Sequence, residues 1–207
     1  MPYIFIKCFT SLIDDLPMWE MYGDKAKGVC IVLNGRFFER IDEYNANLVY
    51  YELPLYHVCY FRKRKNKDTF SITVSDNVAI PKDKLNEVKS NLKKIKTIIN
   101  TDMKHQEWYI SEMEELRYLF KNSDYAHEQE TRLLYNNLGA NEMLQTTNDD
   151  MIFYKMEALP EIEEIILGPK FEEKQKTSIY LQYNGDRLYG RLNMNNPRIT
   201  YSSIEYQ

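Results

Sequence analysis

The chain has 207 residues, enough for one substantial domain with a real core. Hydrophobic residues make up 43% and charged residues 28%, and with only 7 Gly and 7 Pro the composition excludes a disordered or linker-rich chain. A net charge of -4 gives no global attraction to nucleic acid; no stretch approaches the roughly 20 apolar residues that span a bilayer, and MPYIFIKCFT lacks the basic start of a signal peptide, so a cytoplasmic protein without a membrane partner is expected.

The first run, YIFIKCFT (Tyr3 to Thr10), is almost continuously apolar and rich in β-formers, which predicts a central strand buried on both faces. Asp14 and Asp15 can cap a short helix with Pro17 in its first turn. That helix carries Trp19 and Tyr22 three residues apart, on one expected face, and ends at Gly23-Asp24. GVCIVLN (Gly28 to Asn34) predicts a second buried strand, adjacent or near-adjacent to the first in one sheet. NLVYYEL and YHVCYF follow as strands, then the basic run RKRKNK (Arg62 to Lys67), expected as an exposed hairpin tip, then the alternating TFSITVS.

From Lys82 the period changes. Leu85, Val88, Leu92, Ile95 and Ile99 mark an amphipathic helix, and a second helix from about Gln106 carries Trp108, Met113, Leu116 and Phe120. Strand patterns return in ETRLLYNN, MIFYKME and IEEIILGPKF, the last stopped by Gly168-Pro169. EEKQKTSIYLQYNG reads as a helix and RITYSSIEY as a last strand. The expected fold is one α+β domain over residues 1–207, a mixed or antiparallel sheet covered by a helical insertion at about 82–122.

Cys8, Cys30 and Cys59 lie in strand-like contexts and are expected to be reduced and largely buried. His57, His105 and His127 are scattered, and no metal-spaced cluster is present, so no metal site is expected. No Gly-rich phosphate loop or nucleophile elbow occurs.

The strongest lead is HEQETRLLY, His127 to Tyr135. Glu128, Glu130 and Arg132 alternate, and alternate residues of a strand share a face. A solvated ion pair explains that pattern without function. The functional reading makes Glu130 the reacting or hydroxyl-binding carboxylate, oriented by Arg132, with Glu128 at the pocket mouth. On that reading Glu130→Gln leaves folding within about 1 kcal/mol and abolishes activity. Thr10 and Ser11 at a strand end, with Trp19 and Tyr22, form a second group suited to binding a planar ring; the alternative is that the two aromatics pin the helix to the core.

CFTSLIDDLPMWEMYGDKAKGVCIVL, YAHEQETRLLY and IEEIILGPKF, in this order, resemble a widespread bacterial family of unknown function, domain-of-unknown-function family 2971. Its members show Cys-Phe-Ser, Met-Trp-x-x-Tyr, Gly-Val-Cys-Ile, Glu-x-Glu-x-Arg and Ile-Ile-x-Gly-Pro. These map onto Cys8-Phe9-Thr10, Met18-Trp19 and Tyr22, Gly28 to Ile31, Glu128-Glu130-Arg132, and Ile165 to Pro169. Thr10 replaces the usual Ser, and the family's usual segment ahead of that strand is missing, as in a shortened form or part of a split gene.

The layout is also similar to the ADP-ribosyltransferase pattern. That similarity implies NAD as cofactor, with Glu130 on the nicotinamide ribose hydroxyls and Tyr22 with Trp19 stacking on the nicotinamide. Three readings are open: an NAD-using transferase or glycohydrolase; a non-catalytic binding or regulatory module of a bacterial stress or anti-phage system; and a nucleic-acid-acting protein using the basic run. A concave pocket holding Trp19, Tyr22 and Glu130 favours the first, and a continuous positive groove favours the third.

Overall fold

A computed structural model describes residues 3–34, 55–63, 70–75, 78, 80–137, 144–146, 152–154, 162–184 and 196–205. In chain order the elements are β1 (Tyr3–Thr10), α1 (Leu16–Tyr22), β2 (Val29–Leu33), β3 (Leu55–His57), β4 (Cys59–Lys63) and β5 (Phe70–Thr73). There follow α2 (Lys82–Thr101), α3 (Gln106–Glu112), α4 (Glu114–Arg117), β6 (Phe120–Asn122), a 3-10 turn (Ser123–Glu128) and β7 (Glu130–Asn137). The chain closes with β8 (Leu144–Thr146), β9 (Ile152–Tyr154), β10 (Ile162–Leu167), α5 (Lys174–Tyr183) and β11 (Arg198–Tyr201). The fold is α+β, with small antiparallel and mixed sheets. NLVYYEL and the RKNK end of the basic run lie outside the described residues.

The chain divides into two compact units, Met1–Ser11 with Pro54–Gly139 and Leu12–Leu53 with Ala140–Gln207. In the first, β7 is the centre of the antiparallel sheet β1-β7-β3. A second sheet, β5-β4-β6, is antiparallel on one side of β4 and parallel on the other. The run YHVCYF, expected as one strand, is split at Val58, which is fully buried and donates its amide to the Glu130 carbonyl at 3.0 Å. β3 therefore stays with β7 while β4 joins the other sheet. The second expected helix is also shorter than its periodicity suggested: Phe120 belongs to β6, where it pairs with Cys59. Four residues of helical spacing cannot outweigh a parallel strand partner supplied by a distant segment.

In the second unit β10 is central, antiparallel to β2 and parallel to β11. Its Ile166 forms core with Trp19 and Ala26, while Ile165 and Leu167, on the opposite face of the strand, form a second cluster against Phe171 and Ile199. Asp15 caps α1 by accepting the Met18 amide at 3.1 Å. Asp14, at φ 55°, accepts from the Trp19 indole N–H at 2.8 Å and from the amide and hydroxyl of Ser203 at 2.8 and 2.9 Å. The turn after α1 is left-handed at Asp24, Lys25 and Ala26, a conformation L-residues resist. The Gly168-Pro169 end of β10 holds it: Gly168 N–H donates to Gly28 O at 3.0 Å and Lys170 N–H to Ala26 O at 2.9 Å.

β1 and β2 are not neighbours in one sheet. Among the described strands each is the edge of a separate sheet, and neither is buried on both faces. An apolar run specifies that a strand forms, but not which partner lies beside it. The partner of β1 is β7 and that of β2 is β10, so distant sequence motifs meet in pairs: Thr10 opposite Glu130, Cys8 opposite Arg132, and Cys30 opposite Ile166.

Candidate functional site

The cross-strand register of the first unit builds the charged cluster. Thr10 faces Glu130 on β7, while Cys8 and Tyr56 flank Arg132 from either side. Glu130 and Arg132 share a strand face, as their alternation requires. Glu128 does not belong to that strand: it ends the 3-10 turn, and Gln129 is left-handed at φ 46° and ψ 48°. This turn, held by the Ser11 hydroxyl on Gln129 Oε1 at 2.9 Å, replaces the expected run of three strand residues. The three side chains nonetheless converge, because a residue from another element joins them.

That residue is Lys121 of β6. Its ammonium donates to Glu128 Oε2 and, at 3.0 Å, to Glu130 Oε2, and lies 5.0 Å from the centre of the Tyr125 ring. Arg132 grips Glu130 in a fork, Nε to Oε1 at 2.7 Å and Nη2 to Oε2 at 3.0 Å, and its Nη1 donates to the Tyr118 carbonyl. The planar guanidinium suits this double contact. Tyr60, itself buried, accepts the Glu130 amide on its hydroxyl at 2.7 Å. The Thr10 hydroxyl donates to the Glu128 carbonyl at 2.6 Å.

Glu128 is 2% and Glu130 4% exposed, so two carboxylates and two cations are balanced inside the unit. Burial opposes the charge on Glu130, but hydrogen bonds from Arg132, Cys8 and Lys121 outweigh it and hold the pKa at about 2. The same carboxylates raise the pKa of Lys121 despite its desolvation. The Cys8 thiol is pushed up to about 11, first by desolvation, then by its hydrogen bond to Glu130 and that group's charge. The two oxygens of Glu128 differ: Oε2 is bonded to Lys121, whereas Oε1 is buried with no hydrogen-bond partner.

Of the second predicted group, Thr10 and Ser11 belong to this unit, and the two aromatics, Trp19 and Tyr22, to the other. Trp19 is 3% exposed, packed with Ala26 and Ile166, while Tyr22 is 63% exposed. One ring turns inward and the other outward, so within that unit they do not make the shared aromatic face expected from their spacing. The cysteines are free, as expected for thiols, but Cys8 is exposed and Cys30 and Cys59 are only half-buried, a correction that for Cys8 and Cys30 follows from β1 and β2 being sheet edges. His57 is beside Thr131, His105 beside Asp102 and His127 beside the Asp124 carbonyl, each at an exposed position. Arg62 and Lys63 are exposed, and Arg62 pairs with Asp124 at 3.2 Å.

Sequence reasoning missed Lys121, Tyr60 and Cys8. The available signals were faint: one lysine in the aromatic stretch YLFKNSDY, and a tyrosine whose parity places it opposite Phe61 on the sheet. No helix among the described residues is long and apolar enough to cross a membrane. A family model described as "Protein of unknown function (DUF2971)" matches residues 18–133, a span that includes Trp19, Tyr60, Lys121, Glu128, Glu130 and Arg132. No curated protein and no solved structure gives a significant match.

Proposed function

The chain belongs to this family of proteins of unknown function, DUF2971, and we propose that it works as a binding module whose buried carboxylates receive the hydroxyl or amino group of a polar ligand, with Glu128 making the contact. The observation that carries the proposal is the unpartnered Glu128 Oε1. A buried acceptor left unmet costs about 1–3 kcal/mol, which a ligand donor removes on binding. Both oxygens of Glu130 already accept from Arg132 and Lys121. With a pKa of about 2 it neither gives nor takes a proton near neutral pH. Its role in this reading is to hold the two cations in place, so the contacting group is Glu128, two residues before the strand. The setting attached to the reading, by resemblance, is a bacterial stress or anti-phage system in the cytoplasm; the three free thiols support a reducing compartment.

A second reading is NAD-dependent ADP-ribosyl transfer or NAD hydrolysis. The Glu-x-Glu spacing favours it, with one carboxylate locked and the other offering an oxygen to a ribose hydroxyl. Calorimetric titration of NAD into wild type and Glu128→Gln, with nicotinamide release followed by chromatography, separates the two. Binding without release, lost in Glu128→Gln, supports the module. Release that depends on Glu128 supports the enzyme. Absence of binding removes NAD from both readings, and binding indifferent to Glu128→Gln refutes the role of that residue.

A further inference from the structure

The sheet β5-β4-β6 has two different faces. The register Phe61 opposite Ile72 and Asn122, and Lys63 opposite Phe70, gathers Phe61, Phe70 and Phe120 on one face, while Tyr60 and Lys121 serve the carboxylate cluster from the other. The aromatic face looks toward α2: the Lys89 ammonium lies 5.8 Å over the Phe70 ring, and Phe61 and Phe70 are themselves in tilted contact at 5.2 Å. Between sheet and helix runs a cleft of about 1610 Å³. Phe61, Phe70, Phe120 and Leu92 are its apolar lining; its charged lining is Lys63, Lys93, Lys96, Lys121 and Arg62, the last paired with the one acid of the lining, Asp124. The three phenylalanines are only half-buried, and none of the residues of α2 is fully buried.

The helix is charged against the grain of the protein. It holds six lysines and two acids, and after Glu87 it has no acid as far as Thr101, in a chain whose net charge is -4. Two of these lysines, Lys93 and Lys96, face an aromatic-floored cleft that no acid of the helix lines. Phosphate-binding cations above ring faces form the arrangement that grips a single strand without reading its sequence: the cations track the backbone and the rings stack bases.

We propose that the cleft between α2 and the β5-β4-β6 sheet binds single-stranded nucleic acid, with Lys63, Lys93 and Lys96 on phosphates and the three phenylalanines against bases. Double-stranded nucleic acid is disfavoured because its bases are already stacked and cannot reach the cleft floor.

The test is fluorescence anisotropy on the full chain, with a labelled oligouridylate and oligodeoxythymidylate of about a dozen nucleotides, a duplex of equal length, and free uridine monophosphate as competitor. Each contacted phosphate contributes about 0.7 to the slope of log affinity against log salt. Lys93→Glu/Lys96→Glu is expected to weaken strand binding more than tenfold and to lower that slope by about 1.4. Lys82→Glu/Lys84→Glu, on the same helix but outside the cleft lining, reverses the same charge and should change affinity less than threefold. Ultraviolet cross-linking of the bound strand should label Phe61, Phe70 or Phe120. Circular dichroism establishes that both double variants keep their helix. The proposal is overturned by absence of strand binding at low salt, by equal losses in the two double variants, by tighter binding of the duplex, or by displacement of the strand by uridine monophosphate at equal concentration.

Discussion

Replacing Glu130 with Gln removes one charge from the centre of the buried cluster and keeps its shape. The wild-type carboxylate accepts two bonds from Arg132 and one from Lys121. An amide offers one acceptor oxygen and turns a donor toward one of these cations. Removing one partner of a buried ion pair costs about 3–5 kcal/mol, and because Lys121 keeps Glu128 and Arg132 keeps the Tyr118 carbonyl, we place the loss at about 3 kcal/mol. This revises the expectation of about 1 kcal/mol made for a carboxylate at the rim of a pocket. The pH dependence gives an independent measure. A carboxylate held at about 2 against an ordinary 4.5 corresponds to roughly 3 kcal/mol at full weight, or about 1–3 kcal/mol after solvent screening. Since the folded pKa is the lower one, this stability is present above the unfolded value and lost as the pH falls from 4.5 through about 2. Urea unfolding followed by circular dichroism is the assay. At neutral pH the Gln variant should unfold at a midpoint about 1–1.5 M lower, and the gap should narrow as the pH is lowered from about 5 to about 3, because only in wild type does the unfolded chain take up a proton at this position. A gap under about 0.5 kcal/mol at neutral pH, or one that does not change with acid, refutes the ionic-hub account of Glu130.

Cys8 is exposed, yet with its thiol at about 11 instead of 9.0 it should react with iodoacetamide about a hundred-fold more slowly than an unperturbed cysteine at equal pH. Glu130→Gln should speed that reaction; an ordinary rate in wild type contradicts the thiol's placement. Gly168→Ala would bring a Cβ within 2.4 Å of the Ala26 carbonyl oxygen and 2.9 Å of that of Gly28, and backbone cannot step aside as a side chain can. A loss of about 1–3 kcal/mol, seen as a fall of several degrees in Tm, is expected, and an unchanged Tm shows that the β10 end does not clamp the left-handed turn. Asp14→Ala removes acceptors from the Trp19 indole and from Ser203 and should cost about 2–3 kcal/mol by calorimetry; a loss below about 0.5 kcal/mol means the indole finds another acceptor.

Local pattern was enough for the elements with strong periodicity. The apolar runs of Tyr3–Thr10 and Ile162–Leu167 are strands, Lys82–Thr101 is a helix, and Asp15, Pro17 and Gly23 bracket α1. These depend on side-chain period and capping chemistry, which are properties of neighbouring residues. The alternation of Glu130 and Arg132 likewise made their shared face legible. Partner choice was not legible, because pairing is decided by what covers each face: β1 takes β7 from across more than half the chain, and YHVCYF breaks at Val58 to serve two sheets. Only the tertiary structure could show that Glu128 leaves the strand through a left-handed Gln129 yet still meets Glu130, since the bridging ammonium of Lys121 comes from a separate strand that a helical spacing had concealed. Charge at fixed spacing was visible in the chain; which charges neutralise one another, and which buried oxygen is left without a donor, depends on distances set by long-range packing.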